Sequence, residues 1–96
     1  MAYTRLNPES IPKNRALGYT GTCTGDFNNL VTSGIYYNAN GMTANKPVSS
    51  SMYGYVVVFA WDNQYTVQVA WSLGTLYWRA KYGAPLSWSA WKTITA

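Results

Sequence analysis

The chain has 96 residues, a single cysteine, no histidine and a formal net charge of +4. That length holds one domain and leaves no room for a second. The lone thiol Cys23 excludes an internal disulfide, and the absence of histidine leaves the chain far short of the usual zinc ligand set.

Charged residues make up 10% of the chain and aromatics 17%, with five Trp and nine Tyr. An ordinary soluble domain is about 25% charged. A core this small cannot take in so many rings, so part of them faces a partner subunit, a ligand or both. The basic residues are scattered, three of them at Arg5, Lys13 and Arg15. Without a basic run or stripe, a nucleic-acid partner is not expected. No apolar core follows the first charges as in a signal peptide, and the longest apolar run, Tyr55–Trp61, falls far short of the ~20 residues that span a bilayer. Synthesis in a cytoplasm and no membrane insertion are the expectation.

In chain order, residues 1–18 hold Pro8 and Pro12, which disfavour a continuous helix or a central strand. Thr20–Asp26 is a Gly/Thr turn region, and residues 1–24 together read as a lead-in or linker ahead of a domain over 25–96. Asp26 is placed to cap a single helical turn over Phe27–Leu30. Gly34–Asn38 suits a short strand, and Ala39–Ser51, rich in Asn, Ser, Gly and Pro, suits a loop. Tyr53–Trp61, Gln64–Ser72, Thr75–Tyr82 and Trp88–Thr95 are rich in β-branched and aromatic residues and separated by turn signals. The fold class is therefore mostly β: one small domain with an antiparallel meander of four strands in residues 53–95 and an irregular N-terminal half.

Asp62-Asn63 and Leu73-Gly74 both suit two-residue hairpin loops. Those loops put Ala60 opposite Tyr65, Val58 opposite Val67, and Trp71 opposite Leu76. One sheet face then collects Val56, Val58, Ala60, Tyr65, Val67, Val69, Trp71, Leu76, Trp78, Ala80 and Tyr82, a dry core. The other face collects Tyr53, Tyr55, Val57, Phe59, Trp61, Gln64, Thr66, Gln68, Tyr77, Arg79 and Lys81, mixing rings with amides and cations.

Catalysis is the weakest expectation. General acid–base chemistry needs a tunable group or a carboxylate pair. The only carboxylates are Glu9 in the Pro-flanked lead-in, Asp26 beside its turn and Asp62 at a hairpin tip. Cys23 has no histidine base and suits a small buried thiol. No Gly-rich phosphate loop precedes a helix, and no cofactor or metal is expected.

The order Asn-Leu-x-x-x-Gly-Ile-Tyr-Tyr at Asn29–Tyr37, then Tyr-Gly-Tyr-Val-Val-Val at Tyr53–Val58, resembles the knob domains of phage tail fibres, the pyocin-type knob above all. Tyr-Thr-Val-Gln-Val at Tyr65–Val69, Leu-Tyr-Trp-Arg at Leu76–Arg79 and the ending Trp-Ser-Ala-Trp-Lys-Thr-Ile at Trp88–Ile94 fit the same pattern. The resemblance runs from about Gly25 to the end. It implies a homotrimeric receptor-binding protein at the tip of a virion tail fibre, attached to the rest of the fibre and recognising a bacterial surface polysaccharide or another envelope receptor. Gln68, Arg79, Trp88, Trp91 and Lys92 match the family pattern, and structural and binding roles both remain open for them.

Saccharides are held by an aromatic platform under the sugar ring, with amides and Arg or Lys on its hydroxyls. The candidate platform is Trp61, Tyr55 and Tyr77, with Gln68, Arg79 and Asn63 as polar readers. Arg79 suits an anionic sugar, since its fork matches carboxylate and phosphate. For Tyr55 and Phe59 the trimer interface is the favoured role, and Trp61 can equally anchor its hairpin. The loop Asn38–Asn45 is a rival place for a site. The alternative function is a structural trimerisation module of the fibre, with recognition elsewhere.

Overall fold

The computed structural model describes residues 19–61 and 64–94. The lead-in over 1–18, Asn63 and the end of the last expected strand lie outside the described residues. The described residues form nine strands: β1 (Tyr19–Thr22), β2 (Gly25–Asp26), β3 (Gly34–Ala39), β4 (Met42–Ala44), β5 (Tyr53–Trp61), β6 (Tyr65–Ser72), β7 (Thr75–Tyr82), β8 (Ser87–Trp88) and β9 (Lys92–Ile94). One sheet runs β1-β3-β5-β6-β7-β8, with β9 also on β7, and β2 pairs separately with β4. The fold is mostly β and the meander is present.

The N-terminal half is more regular than its composition suggests. Tyr19–Thr22, read as lead-in and turn, is a parallel neighbour of β3. Met42–Ala44, read as loop, pairs in parallel with Gly25–Asp26. Parallel pairing of such short pieces has no local hairpin signature, because the partners are separated by a crossover. The expected Asp26 cap is present: its Oδ1 accepts from the Asn28 backbone N–H at 2.8 Å, at the start of a 3-10 turn over Phe27–Asn29.

The first hairpin overturns the expected register. Trp61 lies opposite Tyr65, Phe59 opposite Val67 and Val58 opposite Gln68. Three residues, not two, therefore separate the paired Trp61 and Tyr65, and the Gln64 N–H donates to the Trp61 carbonyl at 2.9 Å. The second hairpin is as expected: Trp71 faces Leu76 and Val69 faces Trp78, around Leu73 and Gly74 at φ +49° and +90°, values that suit a two-residue loop. Since side chains alternate with period two, one extra loop residue moves all of β6 and β7 to the other face relative to β5.

The consequence is an exchange of inside and outside. Val56 and Val58 keep their buried places, but their companions are Thr66, Gln68, Ala70, Ser72 and Arg79, all buried. Cys23, Phe27, Tyr36, Met42 and Met52 complete the core, with Leu30, Val48, Ala60 and Trp91 packed against it. The N-terminal half thus covers one sheet face. Tyr65 and Trp71, expected in the dry core, are exposed on the other face beside Tyr53, Tyr55, Phe59 and Trp61.

The last strand is also interrupted. Lys81 pairs with Trp88, and Trp78 with Lys92, so residues 89–91 bulge from the ladder. Ser89 bridges the gap: its N–H donates to the Ala80 carbonyl at 2.7 Å, and its Oγ accepts from the Ala80 N–H at 3.0 Å. In an unbroken strand Trp88 and Trp91 would point to opposite faces. The bulge lets both rings lie over Arg79 on the covered side.

Candidate functional site

The structure separates the six candidate residues. Trp61 closes β5 on the uncovered face at 68% exposure, its ring stacked on Tyr65 at 5.9 Å and 9°. Tyr55 lies on the same face at 50% exposure, edge-on to Tyr37 at 5.4 Å. Gln68 and Arg79 point the other way, at 0% and 4% exposure. Tyr77, opposite the buried Ala70, shares their side of the sheet and is half-buried. Asn63 is outside the described residues. Trp61 and Tyr55 thus stand on the opposite side of the sheet from Gln68, Arg79 and Tyr77, and no single sugar reaches both sides.

Gln68 is spent inside the fold. Its Nε2 donates to the Phe27 carbonyl at 2.6 Å and the Leu30 carbonyl at 2.8 Å. Its Oε1 accepts from Arg79 Nε at 2.8 Å. The amide ties the 3-10 turn to the sheet and leaves no free donor for a ligand. Arg79 lies against two indoles, with its guanidinium carbon 3.9 Å from the Trp88 ring centre and 4.8 Å from that of Trp91. Burial pulls its pKa down to about 10, and the more distant charge of Asp26 works against that fall.

The asparagine loop is built for its own geometry. Asn40 and Asn45 sit at φ +59° and +56°, left-handed positions that asparagine tolerates better than most residues. The Asn40 side chain accepts from the Met52 N–H at 3.0 Å. Buried Asn38 accepts from the Gly41 N–H at 3.2 Å, and Asn45 Nδ2 donates to Asp26 at 2.7 Å. That bond, then the Asn28 N–H, holds the Asp26 carboxyl below its ordinary pKa. A shallow depression of about 410 Å³ lies beside the loop, lined by Thr43, Asn45, Lys46, Pro47, Val48 and Ser49.

What the register exposes is a broad apolar surface. Seven aromatic side chains on it are exposed: Tyr53, Tyr55, Phe59, Trp61, Tyr65, Trp71 and Tyr82. Half-buried Val57, Val67 and Val69 fill the spaces between them. Lys92, its Nζ 5.1 Å from the Trp78 ring centre, stands at the rim. A depression of about 340 Å³ at the hairpin end is lined by Ser33, Phe59, Ala60, Trp61, Tyr65 and Val67. A buried aromatic covers roughly 150–250 Å²; half of that for seven rings is on the order of 700 Å². The largest apolar patch of a typical monomer is about 300–600 Å².

Sequence reasoning assigned Tyr65, Val67, Val69 and Trp71 to the core and so missed their place on this surface. The available signal was Gln64, which lengthens the Asp62-Asn63 turn to the three-residue loop that hairpins also use. Among the described residues, no three metal-ligating side chains cluster, and no helix is long and apolar enough to cross a membrane. Comparisons with protein-family models, curated proteins and solved structures find no match for this chain.

Proposed function

We propose that this chain is a non-catalytic knob at the tip of a phage-type tail fibre, working as a homotrimer held together through the uncovered face of its sheet. Recognition of a bacterial surface polysaccharide then falls to side chains outside that face. The observation that carries the proposal is the aromatic surface itself. Its roughly 700 Å² approaches the ~800 Å² that each partner contributes to a standard stable interface. Tyr, Trp and Phe are the residues enriched in such contacts, and charged groups are depleted from them. Sugar recognition at the centre of this face is less well supported, because a sugar needs polar readers among the rings. The sequence resemblance to fibre knobs supplies the trimeric state and the virion location.

Sedimentation velocity tests the assembly. The wild-type chain at micromolar concentration runs as a trimer, and Phe59→Glu with Trp71→Glu runs as a monomer that keeps its β circular dichroism. A wild-type monomer overturns the proposal. Adsorption of the intact trimer to bacterial cells and polysaccharides tests the receptor role; silence across them leaves only the structural trimerisation reading.

A further inference from the structure

The corner where β7 meets β8 carries an unusual charge arrangement. Arg79 and Lys81 lie two residues apart on the same side of β7 and both approach the Trp88 ring, at 3.9 Å and 5.8 Å from its centre. No carboxylate among the described residues comes within 4.0 Å of either cation. Asp26 attracts Arg79 only from a distance, and its Oδ1 accepts from Asn45 Nδ2 and the Asn28 N–H. Of the five N–H donors of Arg79, one has an acceptor among the described residues, Gln68. Its enclosed Nη2 has none among the described residues. From Gln64 to Ala96 the chain contains Arg79, Lys81 and Lys92 and no Asp or Glu.

Two like charges on one indole repel, and burying a cation without a counter-charge is costly. An anion beside them relieves both terms. Beside Arg79 stand the half-buried Lys81 and Trp88, and the Trp88 indole N–H donates to no described residue. The field of Arg79 reinforces that position through the low-dielectric rings around it.

We infer that the Arg79–Lys81–Trp88 corner binds an acidic saccharide, its carboxylate or phosphate on Lys81 and the Trp88 N–H and its apolar ring face on the indole. This inference rests on the receptor half of the proposed function and names the chemistry recognised. Lys81 and Trp88 make the contact, while Arg79 acts as the charge behind them. Charge-assisted hydrogen bonds supply the acidic part of the recognition, and indole stacking supplies the sugar part.

The test follows the Trp indole N–H resonances of the full chain by NMR while glucuronic acid, glucose 1-phosphate, glucose or inorganic phosphate is added. Glucuronic acid and glucose 1-phosphate shift the Trp88 signal saturably. Glucose at the same concentration leaves it in place, and inorganic phosphate binds more weakly than either acidic sugar. Lys81→Gln weakens acidic-sugar binding about tenfold, the loss of one charge-assisted contact, and Lys81→Arg restores it. Equal responses to glucose and glucuronic acid, or unchanged affinity in Lys81→Gln, overturn the inference. Cell adsorption separates the two levels. If the Lys81→Gln trimer adsorbs as well as wild type, the acidic site is refuted and the receptor role stands. If no bacterial surface binds either protein, the receptor role itself fails.

Discussion

Replacing Gln68 with Met tests the register, the core and the N-terminal packing in one experiment. Gln68 makes two neutral hydrogen bonds, to the Phe27 and Leu30 carbonyls, and one with the charged Arg79. Methionine keeps the volume and removes all three. The Phe27 carbonyl retains the Leu30 N–H at 3.2 Å, whereas Arg79 loses its one acceptor among the described residues. With about 1 kcal/mol for each neutral bond and ~1.5–3 for the charged one, the loss is about 3.5–5 kcal/mol. A domain of this length has only ~5–14 kcal/mol in total. At ~4–8 °C per kcal/mol, the midpoint falls by at least about 14 °C. Thermal and urea unfolding followed by circular dichroism at one fixed protein concentration measure it, because assembly would make the midpoint concentration-dependent. A cycle with Arg79→Met isolates the pair, and a coupling of about 1.5–3 kcal/mol is expected. A loss under ~1 kcal/mol would mean that Gln68 faces solvent, and the register Val58 opposite Gln68 would be refuted.

Other outcomes follow from single positions. A Cβ at Gly54 meets the Trp71 backbone carbonyl and ring, so Gly54→Ala forces the central β5–β6 pair apart and costs about 1–3 kcal/mol in urea unfolding. The depressed pKa of Asp26 contributes stability present above its unfolded-state pKa and lost as pH falls through the folded value. Asp26→Asn therefore flattens the acid limb of stability against pH, read by chemical unfolding across that range. Burial pushes the Cys23 thiol up to about 11, so a thiol reagent at neutral pH labels the native protein at its opening rate and reacts rapidly only in denaturant.

The strands of the meander are legible because β-branched and aromatic runs between turn residues need no tertiary information. The Asp26 cap and the Leu73-Gly74 turn are equally local. The division of aromatic residues between core and surface is not. Gln68 reads as a surface amide by composition, yet its acceptors lie 41 and 38 residues away in sequence. Arg79 reads as a ligand-binding fork, yet the bulge at 89–91 folds two indoles over it. Both candidates carried polar chemistry whose partner no local pattern identifies.

The chain by itself determined that four apolar runs would pair as a sheet, that one core could not absorb all the rings, and that metal and disulfide chemistry have too few ligands. Only the tertiary structure decided which rings stay outside. The reason is geometric. Side chains alternate along a strand, so the identity of the buried face depends on a single residue in one loop. The sheet itself can bury either face. The three-residue loop turns Gln68 and Arg79 toward Phe27 and Leu30, and the same step leaves Tyr55, Phe59, Trp61 and Trp71 on the open surface.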